Sequence, residues 1–112
     1  MTFHEFLGEV KKVHCQEVRA QEMDYCEVVV RQEAMGQVTS LLDSYFGGPF
    51  KPAGVQASPE ALRHSAPYGG VQANQTIYCR QGEHGFELAL LWPWGNGQAT
   101  TVKIIHDPNQ QA

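Results

Sequence analysis

The chain has 112 residues, of which 42% are hydrophobic and 18% charged, a balance that indicates one globular domain over residues 1–112. Its formal charge is -4 and its eight Lys and Arg residues are scattered, so we expect no nucleic-acid partner. The first residues do not resemble a signal peptide, and no apolar run approaches the roughly 20 residues that span a bilayer. These features predict a cytoplasmic protein without a membrane partner.

The first predicted element is a helix over residues 3–20. Thr2 and Glu5 stand in the spacing of a capping box, which marks a helix start. Side chains of the helix face recur at intervals of three and four residues, at Phe3, Phe6, Leu7, Val10, Val13, His14 and Val18.

Residues 25–31 permit two interpretations. Cys26, Val28 and Val30 alternate as they would in a strand, and valines lose side-chain freedom in a helix. The alternative is a helix that runs on to Phe46. We favour the strand.

A second main helix is predicted over residues 33–46, because apolar side chains recur there with a helical period and Gly47 can end the helix. A long connection over residues 47–73 follows, rich in glycine and proline. Ser58 and Pro59 predict one or two helical turns inside it.

The last third of the chain predicts a three-strand antiparallel meander, at residues 75–80, 86–92 and 100–106, because alternating side chains are separated there by Gly-containing turns. We therefore expect an α+β fold of the two-layer sandwich type. Its two main helices lie on one face of a mostly antiparallel four-stranded sheet that ends in the meander. The position of the first strand in the sheet is left open.

Alternation also predicts the two faces of this sheet. The face toward the two main helices is assigned Cys26, Val28, Val30, Ile77, Cys79, Leu88, Leu90, Trp92, Val102 and Ile104. The outer face mixes apolar and charged groups, with Arg31, Arg80 and Lys103 available to pair with Glu27 and Glu87. A mixed face suggests a homodimer or protein-partner interface, to which we assign Tyr78, Leu91 and Ile105. The alternative is that the first helix or the long connection covers this face within one chain.

No motif points to a catalytic, cofactor or metal site. Nucleophile elbows, phosphate loops and dinucleotide fingerprints are missing from the sequence, and the five histidines lack spacing that completes a metal site. We predict no catalytic residues, no cofactor and no metal. Cys15, Cys26 and Cys79 form no CxxC pair, so we expect reduced, buried and unreactive thiols.

Two classes of function are therefore compared. The favoured one is a small soluble binding or protein-interaction domain that self-associates through the outer sheet face. The alternative is a small enzyme or thiol protein that uses a Cys/His pair in a groove near residues 47–57. Long connections and aromatic turns often carry function, so the predicted ligand or partner contacts are Lys51, His64, Tyr68 and Trp94.

Overall fold

The computed structural model describes residues 1–13, 15–22 and 24–110. Within them the helices are α1 (Phe3–Lys11), α2 (Met35–Phe46) and α3 (Pro59–Ser65), and the strands are β1 (Glu17–Gln21), β2 (Tyr25–Arg31), β3 (Thr76–Gln81), β4 (Phe86–Pro93) and β5 (Ala99–Asp107). Short 3₁₀ turns precede α2 and follow α3. The predicted α+β class is confirmed. No helix in this described part of the chain is both long enough and apolar enough to cross a bilayer.

The five strands form one antiparallel sheet in the order β1-β2-β5-β4-β3. The predicted meander is confirmed, since β3, β4 and β5 are neighbours in chain order. Residues 25–31 are a strand, and they join the meander through β5. The pairing is antiparallel over seven residues, from Tyr25 with Ile105 to Arg31 with Ala99.

The first helix is shorter than predicted. Its start is the expected capping box, in which Thr2 Oγ1 accepts from the Glu5 amide and Glu5 Oε1 accepts from the Thr2 amide, both at 3.1 Å. The helix nevertheless ends at Lys11, and β1 takes the place of its predicted second half. The sheet therefore has five strands rather than four.

Strand pairing explains this difference. β1 lies along β2 and satisfies backbone groups that would otherwise be left at an open sheet edge, beginning with the Gln16 amide, which donates to the Val29 carbonyl at 2.8 Å. Val18, which contributed to the helical pattern, is a strand residue with 55% of its surface exposed. His14, which also contributed, lies outside the described residues.

Each sheet face carries its own apolar cluster. The cluster beneath α1 and α2 contains, among others, Phe6, Val10, Val38, Leu42, Val28, Val102 and Ile104. The cluster on the opposite face contains Ala61, Val71, Ile77, Phe86, Leu88, Leu90 and Ile105. The two main helices thus share one face as predicted, while α3 and the long connection cover part of the other.

The predicted face assignment is wrong for β3 and β4. Directly paired residues point to the same side of a sheet, and the register pairs Ile104 with both Cys26 and Ala89, and Ala89 with Tyr78. Tyr78 therefore faces α1 and α2, whereas Ile77 faces α3. Alternation could not decide this, because every residue of β4 from Phe86 to Leu91 is buried.

Candidate functional site

A cleft of about 510 Å³ opens where the start of α1 approaches the turn between β3 and β4. Its walls come from α1, α2, that turn and the ends of the central strands. Its lining residues are Met1, Thr2, Phe3, His4, Asp24, Tyr45, Arg80, Gly82, Glu83, His84, Glu87 and His106. Such a volume suits a small ligand rather than a water molecule.

Four polar side chains cross the floor of this cleft in one line, and we call them the charged row: Arg80, Glu87, His106 and Asp24. Arg80 pairs directly with Glu87 across β3 and β4, and Glu87 pairs with His106 across β4 and β5. Their side chains consequently point to the same face. Asp24 extends the row, because its carboxylate lies 3.0 Å from His106 Nδ1.

Glu87 is the buried charge of the row, with 5% of its surface exposed. Its Oε1 accepts a 2.5 Å hydrogen bond from the Tyr45 hydroxyl and lies 3.6 Å from Arg80 Nε. No hydrogen bond to its Oε2 is found among the described residues. Glu87 Oε2 lies next to Gly82, and a Cβ added at Gly82 would be only 2.1 Å from this oxygen.

Arg80 is held in place by Tyr45. Its guanidinium carbon lies 4.5 Å from the centroid of the Tyr45 ring, and its Nη1 donates to the Tyr45 carbonyl at 3.3 Å. Burial, followed by the hydrogen bond to Glu87, raises the pKa of the Tyr45 hydroxyl, so that it stays a donor across the physiological range. The Arg80 side chain is 38% exposed.

His106 and Asp24 form an oriented pair at the other end of the row. A carboxylate on Nδ1 fixes the imidazole ring, which also contacts the Phe3 ring with 5.7 Å between ring centroids. This arrangement leaves Nε2 without a hydrogen-bond partner in the described part of the chain. An imidazole oriented in this way can accept or donate a proton.

The described residues hold no group of three His, Cys, Asp or Glu side chains placed to bind a metal ion. The cleft brings together the Glu87 carboxylate as an acceptor, the Arg80 guanidinium and the His106 imidazole between aromatic walls.

Lys51, a predicted contact residue, is not at the surface. It is 3% exposed, and its ammonium group donates to the carbonyls of Gln72 and Ala73, both at 2.9 Å, and to that of Gln75. Desolvation by burial lowers the pKa of Lys51. These three hydrogen bonds join the start of the long connection to residues 72–75, at and just beyond its end.

His64 and Tyr68 are also engaged within the chain. His64 is 3% exposed, stacks on Phe86 with 4.3 Å between ring centroids, and bonds through Nδ1 to Gln110 Oε1 at 2.7 Å. The hydroxyl of half-buried Tyr68 donates to Asp107 Oδ2 at 2.6 Å. We call Lys51, His64 and Tyr68, with their partner groups, the connection cluster.

Trp94 is the one predicted contact residue outside both groups. It is half-buried, its indole Nε1 donates to Thr101 Oγ1 at 3.0 Å, and the Arg19 guanidinium lies 5.9 Å from its ring. The four predicted contact residues thus do not line the cleft, since none of them is among its lining residues.

The three predicted interface residues do not form one outer surface. Tyr78 and Leu91 are 3% and 6% exposed beneath α1 and α2, and Ile105 is 1% exposed beneath α3. Over this part of the sheet the chain covers its own second face, which was the alternative to a dimer interface.

Burial raises the pKa of all three cysteine thiols, that of Cys79 to about 12. The only hydrogen bond made by a thiol in the described part of the chain runs from Cys15 Sγ to the Val13 carbonyl. No cysteine there is hydrogen-bonded to a histidine. The geometry therefore gives no support to the Cys/His alternative near residues 47–57.

The charged row was only partly visible in the sequence. The predicted hairpin turn sets Arg80 opposite Glu87. The sequence named both among several possible ion-pair partners, although on the wrong face. Asp24 and His106 carry no such signal, because 82 residues separate them and only the fold joins them.

Comparison of this chain with protein-family models, with curated proteins and with solved structures found no match.

Proposed function

We propose that this protein is a small ligand-binding domain and that the cleft over the charged row is its binding site. The binding class is the one that the sequence favours, but the site differs from the predicted contact residues. The observation that carries the proposal is the convergence of Arg80, Glu87 and His106 on a cleft with aromatic walls. Sites for small molecules commonly combine apolar walls with a few polar groups that fix the ligand's orientation.

The polar groups of the row support this proposal because their bonding capacity is not exhausted. Glu87 has an oxygen without a described donor, and Arg80 uses one N–H on the Tyr45 carbonyl and directs Nε at Glu87. A group that is buried for stability alone normally has its hydrogen bonds satisfied inside the protein. A ligand would supply the missing partners.

Self-association is not part of this proposal. The residues to which it was assigned, Tyr78, Leu91 and Ile105, are buried within one chain.

The experiment is a fragment screen followed by amide NMR on the ¹⁵N-labelled protein. Fragments that bind should shift amides of residues 3–4, 80–87 and 106, with much smaller shifts around Tyr68 and Trp94. Arg80→Gln should weaken those shifts. Arg31→Gln is the matched control, since Arg31 is exposed at the opposite end of β2 and should leave them unchanged. Shifts centred on Tyr68 and Trp94 would contradict the proposal and restore the site predicted from the sequence.

Acid–base catalysis is a second candidate, favoured by the His106–Asp24 pair alone. A carboxylate that orients an imidazole is a common feature of general bases. Binding and turnover are separated by following each bound fragment by proton NMR for one day. Product signals that vanish in His106→Gln would support catalysis, and unchanged fragments would leave binding as the function.

A further inference from the structure

We infer that the cleft binds a small zwitterion, a free α-amino acid with an apolar side chain, whose ammonium group meets Glu87 and whose carboxylate meets Arg80. This inference rests on the proposed function and specifies its ligand class.

Glu87 supplies the acceptor for the ammonium group. It is more than nine-tenths buried, and its Oε1 is already occupied by Tyr45 and faced by Arg80. Its Oε2 reaches the cleft beside Gly82, which leaves room only because glycine has no Cβ. A carboxylate oxygen that has no donor within the described residues and borders the cleft is best satisfied by a charged N–H group, because hydrogen bonds between charged partners are the stronger ones.

Arg80 supplies the donors for the carboxylate. The contact with the Tyr45 ring and the bond to the Tyr45 carbonyl hold the guanidinium in place before a ligand arrives. Its remaining N–H groups meet no acceptor among the described residues. The planar fork of a guanidinium matches a carboxylate, which it binds through two parallel hydrogen bonds.

The adjacency of the two groups selects a zwitterion. Arg80 and Glu87 are direct cross-strand partners, so a donor and an acceptor lie side by side on one face. A simple anion at Arg80 would be repelled by Glu87 and by the rim carboxylates of Asp24 and Glu83, and a simple cation at Glu87 would be repelled by Arg80. An α-amino acid carries an ammonium group and a carboxylate on the same carbon atom and satisfies both groups.

The cleft walls favour an apolar side chain on that amino acid. The rings of Phe3 and His106 line the cleft and contact each other. Tyr45 also lines it, with its ring held between Phe6 and the Arg80 guanidinium. A volume of about 510 Å³ accommodates one amino acid with a large side chain.

The test uses L-phenylalanine as the probe, with its N-acetyl derivative, its amide and its N-acetyl amide, each titrated against the whole chain by NMR. Free phenylalanine should bind with shifts at Arg80, Glu87 and His106. Blocking either end should weaken binding by about tenfold or more, because each block removes a charged hydrogen bond. Equal binding of all four compounds would overturn the inference.

Two variants assign the ends of the ligand. Glu87→Gln should make binding insensitive to N-acetylation while it still requires the carboxylate, and Arg80→Gln should do the reverse. Glu33→Gln and Arg31→Gln are matched controls at exposed positions and should change neither preference. If Glu87→Gln fails to give a folded spectrum, Arg80→Lys takes its place. It keeps the charge, loses the fork, and should weaken only ligands that carry a carboxylate.

Failure of this inference can be distinguished from failure of the proposed function. If phenylalanine does not bind while other fragments shift the cleft residues, the inference of a zwitterionic ligand is wrong and the proposed binding site is retained. If fragments shift only residues around Tyr68 and Trp94, both are wrong.

Discussion

The charged row and the connection cluster are built from the same kinds of groups but use them differently. In the connection cluster, Lys51 donates to three backbone carbonyls, while His64 and Tyr68 each have a partner from the end of the chain. In the charged row, Glu87 and Arg80 retain hydrogen-bonding capacity beside an open cleft.

This difference separates structural polar groups from candidate binding groups. Burial alone does not do so, because Lys51 and Glu87 are 3% and 5% exposed. What distinguishes them is whether the hydrogen-bonding capacity of the side chain is used up inside the protein, as is normal for polar groups that are buried for stability alone.

Lys51→Met should lower the free energy of unfolding by about 3 kcal/mol, because three carbonyls lose the same charged donor together. Urea denaturation measures the change. The control is Lys12→Met, whose side chain is 76% exposed and which should change stability by less than about 0.5 kcal/mol. Equal effects of the two variants would show that Lys51 does not hold the connection.

Replacing a glycine by alanine should lower the free energy of unfolding more beside the connection cluster, at Gly69, than beside the charged row, at Gly82. Gly69→Ala places Cβ 2.5 Å from a rigid atom of Trp92 at a positive φ of 102°, so we expect a loss of about 2 to 3 kcal/mol in unfolding free energy. Gly82→Ala places Cβ 2.1 Å from the end of the Glu87 side chain and 3.0 Å from the Gly85 carbonyl oxygen, but at no positive φ, so it should cost less, about 1 to 2 kcal/mol.

Chemical denaturation of these variants also has an internal control. Gly8→Ala lies in α1 with open space around its Cβ and should stabilise the protein by about 0.5 to 1 kcal/mol. A larger loss for Gly82→Ala than for Gly69→Ala would mean that the charged row, not the connection, is the more tightly packed region.

The ionisation of Asp107, which bonds to Tyr68 in the connection cluster, should make the free energy of unfolding depend on pH. Burial acts to raise the pKa of this carboxyl, but hydrogen bonds from Tyr68, Gln110 and the Asn109 amide outweigh it, and the pKa lies below its ordinary value. The ionised carboxylate therefore stabilises the folded state above the ordinary pKa of 3.8, and this contribution is lost as the pH falls through the folded value.

Asp107→Asn should accordingly cost about 1 to 2 kcal/mol of unfolding free energy at about pH 6 and less below about pH 3. Denaturation at both pH values measures the gap between variant and wild type, with exposed Glu33→Gln as the control. A difference in unfolding free energy between variant and wild type that grows in acid would be opposite to the expected pH dependence and would contradict the assignment of these hydrogen bonds.

The sequence was sufficient for the regular parts of the fold. The meander follows from alternation between Gly-containing turns, and α2 follows from its helical period and from Gly47, which takes a positive φ of 84° at the end of the helix. β1 was missed because it is a short edge strand with a bulge between Val18 and Ala20, which breaks alternation.

The candidate site was less accessible to sequence reasoning. Lys51 occurs in a segment rich in glycine and proline, where a lysine is ordinarily exposed, and only the fold brings carbonyls of residues 72–75 around its ammonium group. Glu87 follows an exposed turn, and its burial depends on Tyr45 from a helix 42 residues earlier. Long-range contacts of this kind leave no periodic trace in a sequence.

The most direct test of the distinction between the two regions is the exchange of side-chain protons with water, measured by nitrogen-detected NMR on the wild-type protein. The ammonium protons of Lys51 should exchange slowly, because the ammonium group is buried and donates to three carbonyls. The Nη protons of Arg80 should exchange much faster until a ligand fills the cleft. Arg80 protons as protected as those of Lys51 in the absence of ligand would show that the protein already satisfies the charged row and would contradict its role as a binding site.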